Sequence, residues 1–200
     1  MRDFSECLPE SLKMSVSRQV RVVILYGGRS GEHEVSLRSA ASVARQLDPT
    51  RFEPILVAID PQGRWHLGQL SQVPASAASL PVWQDGPEVL LPPHPVREGR
   101  PELVVFTSEG DRGERIPFDV VFPVLHGTNC EDGSLQGLLE LAEVPYVGCG
   151  VLASAVGMDK EVAKRLARDA GLPIVPFVTL KAAHWSRDRL GAREKIGREL

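Results

Sequence analysis

Cysteine is scarce in this chain: Cys7, Cys130 and Cys149 are the three in 200 residues, odd in number and without a CxxC spacing. That excludes a disulfide framework and a zinc knuckle and leaves free thiols, as expected of a cytoplasmic protein. No apolar run approaches the roughly 20 residues a bilayer-spanning helix needs. Basic charge is not in excess either. The 23 Lys and Arg stand against 26 Asp and Glu, a formal net charge of -3, so no general surface for nucleic acid follows. Two nucleotide fingerprints are missing as well: no GxGxxG follows a strand, which disfavours a dehydrogenase-type protein using NAD, and no GK[ST] marks a P-loop. There is no internal repeat.

What is present is patterned. Residues 1–19 are polar, acidic early and without an apolar middle, so they read as a loose N-terminal arm rather than a secretory signal, with Met14 as a second candidate start. VRVVILY at 20–26 is a β-branched run ending in Gly27 and Gly28, the signature of a buried parallel strand entering a tight loop. Helical spacing over 34–47 and a second apolar run, PILVAID at 54–60, complete a βαβ unit. Residues 61–117 break the pattern with seven prolines between Pro74 and Pro101, and read as an irregular insert outside the core, with short antiparallel strands at 88–91 and 102–107 on the domain's edge. Regular structure returns with FDVVFPVL at 118–125, a helix from Ser134 to Ala142 and a short strand at 145–148. Two helices over 151–158 and 159–170 follow, stopped by Gly171 and Pro173. PIVPFVTL at 173–180 reads as a strand, and charge pairs four apart in 185–200 suit a helix.

Three blocks carry chemistry. In YGGRSGEHEVSLRSA, residues 26–40, the glycines turn the backbone after a strand and lead into a helix whose first amides face the loop, a cradle for a small charged ligand. Glu32 and Glu34 at that helix start suit helix capping and favourable placement on the helix dipole, with about equal weight for the alternative that a carboxylate of this loop pairs with a ligand ammonium. In HGTNCEDGSLQGLLE, residues 126–140, His126 follows the carboxyl end of a strand, where parallel α/β sheets bind ligands, although a lone histidine there is more often structural. In VLASAVGMDKEVAKRLARDAG, Lys160 opens a helix where its ammonium can meet phosphate oxygens, and Lys164, Arg165 and Arg168 are better candidates for plain solvation.

Taken in this order, GGRSGEHEVS, HGTNCEDGSLQG and PYVGCGVLASAVGMDKEVAKRLARDAGLPIVPF resemble the D-alanine:D-alanine ligase family of the ATP-grasp superfamily, over roughly residues 20–180. The resemblance implies an enzyme that phosphorylates the carboxylate of one D-alanine with ATP and lets the amine of a second attack the acylphosphate, making D-alanyl-D-alanine for peptidoglycan. It implies Glu32 on the ammonium of the first D-alanine, His126 lining the same subsite and Lys160 on ATP phosphates. No catalytic residue and no metal ligand is assigned within the chain, because the family holds adenine, Mg²⁺ and the acylphosphate with later segments. The 200 residues alone are therefore expected to lack ligase activity, and a stand-alone module that binds an amino acid or a partner is the competing reading. The family is commonly homodimeric. One departure stands out: the family usually has Gly where Cys130 sits, so a positive φ there would strain the loop and the thiol would crowd the subsite. The implied fold is α/β: a pre-ATP-grasp parallel sheet with helices on both faces over 20–142, decorated by the insert, then the start of an ATP-grasp central domain over 143–200. Its apolar stretch from Ile174 to Leu180 is expected to be poorly covered.

Overall fold

The computed structural model describes residues 18–106 and 112–200. Strand β1 (Val20–Gly27) is followed by helix α1 (His33–Gln46) and strand β2 (Phe52–Ile59), which pairs parallel to β1, with the helix as the crossover such a pairing needs. The chain then runs through β3 (Trp65–Leu67), β4 (Glu88–Leu90), β5 (Glu102–Phe106), β6 (Arg112–Pro117) and β7 (Val120–Leu125). Helices α2 (Ser134–Leu141), α3 (Val151–Met158), α4 (Lys160–Asp169), α5 (Ala182–Arg187) and α6 (Arg189–Glu199) complete it. The sheet has seven strands in the order β6-β5-β4-β3-β2-β1-β7; β2, β1 and β7 are parallel, and β3 to β6 extend it antiparallel.

Period-two alternation in β1 sorts its side chains onto two faces. Val22, Ile24 and Tyr26 pack with Leu37, Ala40 and Ala41 of α1, while Val23 and Leu25 share a second core with Leu135 and Leu139 of α2. Helices therefore cover both faces of the parallel part, as the sequence suggests. Full burial of side chains such as Leu139 and Phe118, each 0 % exposed, is worth roughly 1.5–3 kcal/mol apiece.

The insert differs from its sequence reading. Strands β4 and β5 are antiparallel as expected, but the segment is no mere decoration: it supplies four of the seven strands, and Leu80, Val89, Leu91, Leu103 and Val105 are buried. Its prolines sit almost wholly in the connections, leaving the alternating strands free to pair. Two other expectations fail for want of a partner. Residues 145–148 form only a single parallel bridge, Val121 with Tyr146, and 173–180 pairs with no strand among the described residues. In that stretch Val175 is 75 % exposed, whereas Ile174 and Phe177 to Leu180 are only partly so. The helices on either side form where expected, α4 capped by Asp159 Oδ1, which accepts from the amides of Glu161 and Val162.

Residues 1–17 of the expected arm, including Met14, lie outside the described residues. Its last two are tied down: Arg18 makes a bidentate pair with Asp119, and Gln19 Nε2 donates to the carbonyl of Pro49. The Arg18 hydrogen bond, helped by the Arg21 amide, outweighs partial burial and lowers the Asp119 carboxyl from 3.8 to about 2. Asp60 is lowered likewise to about 2: burial pushes it up, but hydrogen bonds from the Arg64 backbone, His66 and the Arg64 side chain more than offset this. Carboxyls depressed in the fold stabilise it above their unfolded value and lose that contribution as protons bind. Urea unfolding midpoints are therefore expected to hold steady above about pH 5 and to fall between about pH 4 and pH 2. In the double variant Asp60→Asn, Asp119→Asn that acid slope flattens.

Candidate functional site

The register of the parallel strands fixes where the site lies. Gly27 is opposite Ile59 on one side and Leu125 on the other, so the carboxyl ends of β2, β1 and β7 stand level. The chain leaves β1 through α1 on one face and leaves β7 through α2 on the other, so the crevice between the β1 and β7 loops is the sheet's topological switch point. Glu32 and His126, the candidates of the first two sequence blocks, lie there.

The two loops are stapled together by serines. Ser36, fully buried in α1, accepts from the Gly27 amide at 2.7 Å and donates to the Val124 carbonyl, joining helix, β1 and β7 at one oxygen. Ser30 Oγ donates to the His126 carbonyl at 2.6 Å and accepts from the Glu32 amide at 3.2 Å. His33 Nδ1 donates to the Gly28 carbonyl at 2.7 Å and closes the turn from within. Gly27 itself has φ +91°, and a Cβ built on it would lie 2.3 Å from the Ile59 oxygen, so no larger residue fits.

Glu32 is the residue just before α1, and its side chain makes no capping bond. It is exposed and free to face a ligand. The helix-capping reading of Glu32 thus fails. Glu34 sits in the first turn of α1, where its charge suits the helix dipole. His126 is part-buried; its Nε2 is 3.2 Å from Ser39 Oγ and its Nδ1 is 3.9 Å from Glu131 Oε1. Glu131, which the sequence reading did not single out, accepts from the Gly127 amide at 2.7 Å through its other oxygen. One ligand atom each of Glu32, His126 and Glu131 falls within 4.8 Å of the other two. The signal for Glu131 was available, since it heads the EDG of the second block, but only the loop's curl shows that its side chain returns to His126.

Lys160 stands apart from this trio, on a neighbouring cleft of about 480 Å³ lined by Glu131, Gln136, Gly148, Gly157 and Lys160 among others. Glu131 borders both. Beyond Lys160, Glu161 pairs with Arg165 and Lys181, and Lys164 lies 4.9 Å over the Phe177 ring, so Lys164 and Arg165 have protein partners rather than the plain solvation expected of them.

The expected strain at Cys130 is not found. The left-handed conformation falls one residue earlier, on Asn129 with φ 67°, a residue type that tolerates it. Cys130 is instead 5 % exposed in the α2-side core, its carbonyl accepting from Gln136 Nε2. Burial, with Asp132 and Glu131 nearby, raises its thiol to about 11, so it is a protonated packing group rather than a nucleophile. Next to it, Asp132 anchors the loop by accepting from the Asn129 and Ser134 amides.

The fold and this arrangement define a class: an α/β domain with two carboxylates and an imidazole converging at the switch point of a parallel core, beside a cleft bordered by a lysine. Comparison with known proteins narrows it. Residues 21–149 match the family described as D-ala D-ala ligase N-terminus, and the chain belongs to that family. It is 56 % identical over 178 residues to the D-alanine–D-alanine ligase A of Bradyrhizobium diazoefficiens, covering 88 % of this chain and 47 % of that one. With the D-alanine–D-alanine ligase of Mycobacterium avium it shares 46 % over 188 residues, 92 % of this chain and 50 % of the relative. Among solved structures, the D-alanine-D-alanine ligase of Coxiella burnetii superposes with TM-score 0.68 at 32 % identity, covering 89 % of this chain and 49 % of that one. The VanG D-Ala:D-Ser ligase of Enterococcus faecalis does so with TM-score 0.68 at 32 % identity, covering 92 % and 50 %. The chain thus spans about half the length of the relatives it matches. Among the described residues no helix is long and apolar enough to cross a membrane.

Proposed function

We propose that this chain is the N-terminal part of an ATP-dependent D-alanine:D-alanine ligase of cell-wall synthesis and that it holds the first D-alanine at Glu32, His126 and Glu131. The observation that carries the reading is the convergence of these three groups at the switch point. A primary ammonium offers three N–H donors, and two carboxylates with one imidazole nitrogen offer three acceptors at the right spacing. Charge-assisted bonds of this kind are about twice as strong as neutral ones. Residues 20–142 form the substrate domain of this proposal, and 143–200 begin the central nucleotide-binding domain, with the partly exposed stretch 173–180 as a strand that pairs with a later segment.

ATP suits the neighbouring cleft. In this reading Lys160, at the start of α4 and on the lining of that cleft, meets phosphate oxygens, and Gly148 and Gly157 on the same lining allow close approach. When bound there, ATP supplies the phosphoryl group that activates the carboxylate of D-alanine. Glu32, Glu131 and His126, the last fixed by Ser39, hold the other end of that substrate. Mg²⁺ does not fit the trio, because a hard cation that demands octahedral oxygen ligands is poorly served by an imidazole. No step is assigned to magnesium in this chain.

The test is by amide NMR of the 200-residue chain. D-alanine is expected to shift the signals of Glu32, Gly127 and Glu131 in a saturable way, while propionate, which has the same carbon chain and no ammonium, leaves them in place. Equal shifts with both would refute an ammonium subsite.

A further inference from the structure

Behind the β1 loop lies a buried constellation that ligand binding does not use. Asp60 follows β2 directly and is 0 % exposed, as is His66 in β3. Asp60 Oδ1 accepts from the amides of Gln62 and Arg64, both at 2.9 Å. Its Oδ2 accepts from Arg64 Nε at 2.9 Å and from His66 Nε2 at 3.1 Å. Four donors on one carboxylate fill its capacity. Backbone bonds close the same turn from both directions: the Asp60 amide donates to the Arg64 carbonyl, and the Gly63 amide to the Asp60 carbonyl, each at 2.9 Å.

A surface turn between two strands does not need a buried charge, and burying one is unfavourable until its partners offset the lost hydration. What this rigid turn touches explains its use. Ile59, the residue before Asp60, gives its carbonyl to the Gly28 amide at 2.8 Å. Gly63, in the middle of the turn at φ +93°, leaves room for Arg29, whose Cδ would lie 2.8 Å from any Cβ there. Both contacts reach the loop that goes on to Ser30 and Glu32. The turn is a shelf, and the ligand loop rests on it at two points.

We propose that Asp60, held by Arg64 and His66, is a positioning residue that fixes the Gly27–Glu32 loop from below and so sets the affinity of the ammonium subsite. The statement about affinity rests on the function proposed above; the statement about the loop does not. A network that merely closes the β2–β3 turn leaves the Gly28 and Glu32 amides as they are when it is broken. A positioning network does not.

The experiment compares amide hydrogen exchange in the wild-type chain, Asp60→Asn, Arg64→Ala and, as control, Arg115→Ala. Arg64 is half exposed, so its variant folds even where Asp60→Asn does not, and Arg115 makes a similar exposed pair with Glu102 far from the loop. Exchange at Gly28 and Glu32 is expected to rise at least tenfold in Asp60→Asn and several-fold in Arg64→Ala, with the Leu139 amide and the Arg115→Ala control unchanged. D-alanine affinity is expected to fall three- to tenfold in Arg64→Ala. Unchanged exchange at Gly28, or a rise matched at Leu139, overturns the proposal. If the wild-type chain gives no D-alanine signal, the ligand reading fails while the exchange result still decides the positioning role.

Discussion

Gly27→Ala is expected to lower the stability of the chain by at least about 3 kcal/mol and to erase ligand binding with it. Two costs combine. A left-handed φ of +91° penalises any Cβ by roughly 1–2 kcal/mol. The second is steric: the new methyl would stand 2.3 Å from the Ile59 oxygen, closer than real contacts allow, and that neighbour is main chain at the carboxyl end of β2, held in the sheet by its pairing with β1. Relief needs β1 and β2 to part, which strains the Gly28 amide bond to Ile59 and the Ser36 bond to Gly27. With total stabilities of small domains near 5–15 kcal/mol, a loss of this size is a large fraction. A shift of the urea midpoint by less than a quarter of its wild-type value would show that the loop can yield.

Glu32→Gln is expected to do the opposite: little to stability and much to binding. The carboxylate is exposed and caps nothing, so its replacement should move the unfolding free energy by no more than about 0.5 kcal/mol. For a ligand ammonium, however, the substitution replaces an ionic hydrogen bond worth about 1.5–3 kcal/mol by a neutral one. The difference between the two is about 1–1.5 kcal/mol, so D-alanine affinity, followed by calorimetry, should weaken roughly five- to tenfold, since each 1.4 kcal/mol is a factor of ten. Retained affinity would transfer the ammonium to Glu131 and His126.

How much of this could be read from the residues differs from element to element. β1, α1 and β2 were legible because their apolar positions repeat with the period of the structure they form, and the double glycine announced the turn between them. Glu32 and His126 were legible as candidates because each follows a strand's carboxyl end. β3, only Trp65 to Leu67, was not: three residues show no period, and they become a strand because Ala58 and Glu88 flank His66. For the same reason 173–180, with a strand's composition, is no strand among the described residues, since a strand exists only with its neighbour. Cys130 was misread because a family pattern marks where glycine usually stands, not which residue bears the turn.

The amino-acid sequence by itself determined the family, the parallel βαβ core and the loops that carry Glu32, His126 and Lys160, because periodicity, glycine and motif order are properties of neighbours along the chain. The tertiary structure alone decided that Glu131 joins Glu32 and His126, that Lys160 lies across a separate cleft, that the insert widens the sheet to seven strands, and that Asp60 is buried beneath the ligand loop. Those facts depend on groups far apart in sequence meeting in space, and no local pattern encodes the sheet pairing that brings them together.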